Sequence, residues 1–74
     1  MEQCLIEAKK RYPRTGKTRE AFLIGCKYTL SKGQNRKEVE QLLHKSKYIQ
    51  NALFAGEDFA KEITGQKNTH HAAQ

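Results

Sequence analysis

The stretch TREAFLIGCKYTLSKG, residues 18–33, decides the fold class. Phe22, Cys26 and Leu30 recur every four positions, with Leu23 and Thr29 beside them, which gives one apolar stripe on an α-helix. Thr18 stands where an N-cap is needed, and Glu20 puts negative charge in the first turn, where the helix dipole favours it. Lys32 and Gly33 end the pattern, the glycine supplying a left-handed C′ residue. Gly25 sits in mid-helix at a cost of about 1 kcal/mol relative to alanine. Its use is to let a second helix approach closely. A helix over 18–32, pressed against another, is the central expectation.

Upstream, Leu5, Ala8 and Tyr12 fall one turn apart with Cys4 beside them, so residues 2–11 read as a helix. Glu2 at its start and Lys9-Lys10-Arg11 at its end both suit the dipole. Pro13, the only proline in the chain, stops it, because the residue before a proline is driven out of helical geometry. Downstream, Asn35-Arg36-Lys37-Glu38 resembles a capping box, and Val39, Leu42 and Leu43 form the expected buried edge of a third helix. Tyr48, Ile49, Ala52 and Leu53 suit a two-turn helix ending near Gly56. Glu57-Asp58 then opens another, burying Phe59 and Ile63 and stopping at Gly65. The segment QKNTHHAAQ has nothing to bury and reads as a disordered tail over 66–74. No internal repeat stands out, and no stretch alternates long enough for a strand. The fold class is all-α: one domain over 1–65, a compact bundle of four to five short helices.

Seventy-four residues carry fourteen Lys and Arg against eight Asp and Glu, a net charge of +6. Such a balance in a small domain favours a polyanionic partner. The aromatics are few and mostly in phase with the core, which argues against a stacking platform for single strands. No apolar run resembles a signal peptide or a membrane span, so a cytoplasmic setting is expected, with no membrane partner and with Cys4 and Cys26 reduced as small core residues.

Gly16-Lys17-Thr18 ends the stretch RYPRTGKTRE, residues 11–20, like a phosphate-binding loop. The first glycine of that motif would fall at Arg11, and Pro13 would remove a cradling N–H donor, so nucleotide hydrolysis is not expected. The same corner is nonetheless dense in charge: residues 9–19 hold six basic residues and no acidic one. Lys9, Lys10, Arg11, Arg14, Lys17 and Arg19 are candidate phosphate contacts, beside a helix N-terminus that itself favours anions. Residues 24–45 also allow a helix–turn–helix-like reading with Gly33 in the turn. Its second helix would present Gln34, Asn35, Arg36 and Lys37 at its start and Gln41, His44 and Lys45 along its outer face to a groove. His44, His70 and His71 lack the spacing of a zinc site, no acid–base or nucleophile–base arrangement emerges, and neither metal, cofactor nor catalysis is expected.

Taken in order, Thr18-Arg19-Glu20-Ala21-Phe22, then Leu30-Ser31-Lys32-Gly33, Asn35-Arg36-Lys37-Glu38-Val39, Ser46 and Gly56-Glu57-Asp58-Phe59-Ala60 resemble a recurring pattern. It is similar to the small helical module that accompanies plasmid mobilisation relaxases and plasmid-type DNA primases, over roughly residues 15–65. Lys47 stands where that pattern has a proline. The resemblance implies an accessory helix bundle of a plasmid, phage or other mobile element, engaging DNA or a replication or mobilisation enzyme. The sequence therefore points to a DNA-binding helical protein, with a protein–protein adaptor or inhibitor using its basic face as the alternative.

Overall fold

The computed structural model describes residues 2–65, and the expected tail over 66–74 lies outside them. The described residues form four helices and no strand: α1 (Glu2–Arg11), α2 (Lys17–Leu30), α3 (Arg36–Leu42) and α4 (Lys47–Thr64). None of them is long and apolar enough to cross a membrane.

The central pair is α2 and α4. Lys17 and Glu20 share a groove with Ile49, Gly25 abuts Leu53, Thr29 reaches Glu57, and Lys32 shares a hollow with Lys61. Both helices therefore advance in the same direction, with partners about thirty positions apart. They approach through two glycines. A Cβ on Gly25 would strike the backbone of Leu53 and Glu57, and a Cβ on Gly56 would strike the backbone of Phe22 and Cys26. The relation is reciprocal, since each glycine meets the residue three before and the residue one after the other glycine. At this separation the Cys26 thiol donates to the Gly56 carbonyl at 3.3 Å, and the Thr29 hydroxyl donates to the Glu57 carbonyl at 3.4 Å.

The expectation that Gly25 admits a neighbouring helix holds, and so does the all-α bundle of four to five helices, with four among the described residues. One boundary is corrected: Gly56 does not stop a helix, and α4 runs unbroken from Lys47 to Thr64. AFLIG at 21–25 and ALFAG at 52–56 form the two faces of the glycine crossing.

On one side of this pair, α1 buries Cys4 and Ala8 against Phe22, Cys26 and Ala60. On the other, α3 buries Val39 with Ala21, Ile49, Ala52 and Leu53. Cys4, Phe22, Cys26 and Leu53 are wholly buried. Burial and the thiol–thiol contact with Cys4 push the Cys26 thiol well above the usual range, so it stays protonated and inert. Both cysteines are free. The expected buried edges are too wide: Leu5, Leu43 and Ile63 are exposed and Tyr48 more so, because each helix is covered along only one narrow face. Phe59 is half-buried against Phe22, with ring centroids 5.9 Å apart.

The caps also differ from expectation. Gly16, not Thr18, is the N-cap of α2, and it offers no side chain to the first amides. Lys32, not Gly33, takes the first left-handed position after α2, with φ 57°. Gly33 donates to the Tyr28 carbonyl at 2.8 Å and Lys32 to that of Thr29 at 3.3 Å, which completes a Schellman turn. Asn35 precedes α3 as expected but makes no capping bond. Its amide donates to the Ile24 carbonyl at 3.2 Å instead, pinning the turn to α2. Ser46 and Gly65 end α4 as its N-cap and left-handed C-cap.

Candidate nucleic-acid interface

Pro13 ends α1, and residues 12–16 carry the chain around to α2. The corner they form is held by one of its own cations. The Arg19 guanidinium donates to the Tyr12 carbonyl at 3.0 Å, the Pro13 carbonyl at 2.6 Å and the Thr15 hydroxyl at 3.2 Å. Those bonds use most of its donors, so Arg19 shapes the corner from within. Arg11 is engaged too. It bonds the Glu7 carboxylate at 2.7 Å and lies over the rings of Phe22 and Phe59, 5.1 and 5.6 Å from their centroids. Its planar group closes the apolar core at this end.

Lys9, Lys10, Arg14 and Lys17 are exposed. The ion pairs found among the described residues, Arg11 with Glu7 and Arg36 with Glu40, involve none of them. Lys17 is joined across space by Lys45. The two flank a groove of about 180 Å³ whose other walls are Glu20, Ile24, Leu42 and Ile49. Lys45 belongs to the turn after α3, because that helix stops at Leu42. The Gln50 amide holds this turn through the carbonyls of Leu43 at 2.9 Å and Lys45 at 3.0 Å.

Parallel packing sets the electrostatics of this end. The first turns of α2 and α4 lie side by side, so the positive ends of two helix dipoles add where antiparallel neighbours would cancel. Lys17, Lys45 and Lys47 sit at those two starts.

The second half of the sequence-derived site lies elsewhere. Asn35 is buried and structural. Arg36 pairs with Glu40 at 2.9 Å, and Lys37 shares its shallow surface with Glu38 and Glu40. Both cations open α3, just after the turn at the far end of α2 that Asn35 pins back to the Ile24 carbonyl. The expected second helix of a helix–turn–helix is only seven residues long, so Gln41 is on it while His44 and Lys45 follow it. His70 and His71 lie outside the described residues. No cluster of three or more His, Cys, Asp or Glu side chains suited to a metal ion occurs among the described residues.

At that far end, Tyr28, Thr29, Lys32, Gly33, Glu57 and Lys61 line an open hollow of about 270 Å³. Partial burial raises the Glu57 pKa, with Asp58 adding to the shift and Lys61 opposing it. Sequence reasoning missed both the Lys17–Lys45 juxtaposition and the alignment of α2 with α4. Comparisons with protein-family models, curated proteins and solved structures find no match to this chain.

Proposed function

We propose that this chain is a small nucleic-acid-binding protein that engages duplex DNA, an accessory to replication, mobilisation or transcription of a mobile element. The observation that carries the reading is the concentration of unpaired cations at one end of the bundle. Lys9, Lys10, Arg14, Lys17 and Lys45 gather where α1 finishes and α2 and α4 begin. Phosphate backbones are bound by such a surface without base recognition, and affinity then depends steeply on salt. Arg11 and Arg19 serve this surface indirectly, by shaping the corner. Arg36 and Lys37 are a separate group at the other end of α3, and they and Gln41, in its last turn, add at most a secondary contact. A replication or mobilisation enzyme is a further partner consistent with the resemblance of residues 15–65.

Binding of a short duplex, followed by fluorescence anisotropy across salt concentrations, tests this reading. Five phosphate contacts give a log–log slope of about −4.5, at about −0.9 per contact. Replacing Lys9, Lys10 and Arg14 together by glutamine should flatten the slope by about 2.7. A slope unchanged by the triple substitution would refute the assignment.

A further inference from the structure

The groove between Lys17 and Lys45 has a floor that phosphate does not need. Ile24 from α2, Leu42 from α3 and Ile49 from α4 supply an apolar surface, and the cations stand on its rim. Ile24 and Leu42 are half-buried, so apolar surface remains open to solvent between two lysines that take part in neither ion pair found among the described residues. Its volume of about 180 Å³ compares with the engineered apolar cavity of about 150 Å³ that takes up benzene. That is room for one aliphatic or aromatic side chain.

We propose that this groove docks an acidic peptide segment of a protein partner, inserting one apolar side chain between Ile24, Leu42 and Ile49 while flanking carboxylates face Lys17 and Lys45. Charge complementarity selects this occupant. The groove lies at the paired first turns of α2 and α4, where helix dipoles and lysines act in the same sense, and an apolar anchor explains the floor. Glu20 is the one acidic wall residue, and it lies a turn along α2 from Lys17. It sets the orientation of the guest by repelling carboxylates from that stretch of the rim. A polynucleotide backbone would satisfy the lysines and leave the floor empty. The inference does not rest on duplex binding, because it uses Lys45 and the groove floor, whereas the test of duplex binding removes Lys9, Lys10 and Arg14.

The test is a titration of the full chain, with isotopically labelled Ile and Leu methyls, by two synthetic peptides. One is EDELEDE with blocked ends, and the other carries alanine in place of its leucine. At about 0.15 M salt, where exposed charges further apart than about 8 Å are screened, the leucine peptide should shift the methyl signals of Ile24, Leu42 and Ile49. The alanine peptide should bind at least about tenfold more weakly, since burying the larger side chain is the specific term. The double variant Lys17→Gln with Lys45→Gln, at exposed positions that leave the core intact, should weaken the leucine peptide about threefold to tenfold. Equal binding of the two peptides would overturn the proposal, as would no methyl shift up to about 5 mM peptide. If a short duplex moves the same three methyls as far as the leucine peptide does, the groove belongs to nucleic acid and the proposal fails. Loss of duplex binding in the Lys9, Lys10 and Arg14 variant with peptide binding retained would show that the two readings stand or fall separately.

Discussion

Replacing Gly25 by alanine tests the packing on which everything else is mounted. The added Cβ would lie 3.0 Å from the Leu53 carbonyl carbon and 3.1 Å from the Glu57 amide nitrogen, with the Leu53 oxygen nearer still. Favourable contacts begin at about 3.5 Å and the oxygen is the closest obstacle, so α2 and α4 must separate by about an ångström or more. Neither obstacle is a side chain that can rotate away. Overpacking of this kind costs about 1–3 kcal/mol, occasionally more. Separation also stretches the bonds from Cys26 to the Gly56 carbonyl and from Thr29 to the Glu57 carbonyl, each worth about 1 kcal/mol. Alanine returns about 1 kcal/mol of helix propensity. The net expected loss is about 2–4 kcal/mol. A domain of this size holds about 3–10 kcal/mol in all. Thermal unfolding followed by circular dichroism should then show Tm lower by about 10–30 °C, at about 4–8 °C per kcal/mol. Gly56→Ala should behave alike, since its Cβ would lie 2.9 Å from the Phe22 carbonyl carbon and 3.0 Å from the Cys26 nitrogen. The double variant should lose less than the sum, because one separation accommodates both methyls. An alanine at Gly25 that raises Tm, as propensity alone demands, would refute the close crossing.

Other outcomes follow from single residues. Arg19→Gln should cost about 1–2 kcal/mol in urea unfolding by releasing the Tyr12 and Pro13 carbonyls, while the salt slope of duplex binding by the folded variant stays unchanged. A slope reduced by about 0.9 with stability intact would make Arg19 a phosphate contact instead. Lys32→Gly should stabilise by about 0.5–1 kcal/mol, the relief of a side chain at φ 57° partly offset by greater freedom of the unfolded chain; a lower urea midpoint would contradict that backbone geometry. Glu57 has a raised folded pKa, so the folded state holds its proton more tightly than the unfolded chain does, and its contribution is most favourable below the ordinary carboxylate range and declines as pH climbs through the raised value. Glu57→Gln should accordingly stabilise the fold at pH 7 and make little difference at pH 3, as read from Tm at the two pH values, and a gain confined to pH 3 would reverse the assignment.

The fold was legible where one helix's residues suffice to define it. The Phe22–Cys26–Leu30 stripe and the stop at Pro13 locate α1 and α2 because periodicity and φ restrictions are local. Gly56 was illegible for the opposite reason. Followed by Glu57 and Asp58, it has the composition of a stop and a restart, and only Phe22 and Cys26, some thirty residues away, make it an interior packing residue. Asn35 shows the same limit. Its position signals a cap, but the Ile24 carbonyl within reach wins its amide. For the site, charge density located the corner at residues 9–19 and could not sort its cations. Arg11 and Arg19 have the same composition value as Arg14, yet two aromatic rings, a carboxylate and two backbone carbonyls claim them. Lys45 joins Lys17 only through the return path of α3, which no local pattern encodes.

That return path has a kinetic consequence. Helices that advance in the same direction cannot be joined by a hairpin, so the Gly25–Gly56 contact closes a loop of thirty-one residues, the difference between the two positions. Chain closure on that scale costs about 3 kcal/mol in its length-dependent part, against about 1.4 kcal/mol for a five-residue connection. The difference corresponds to roughly a tenfold slower search for the central contact than in an up-and-down bundle of equal size. α3 shortens the search by folding the chain back and docking Val39 beside Ala21 and Ile49. The shortest of the described helices thus sets how far the chain must search to bring the two longest of them together.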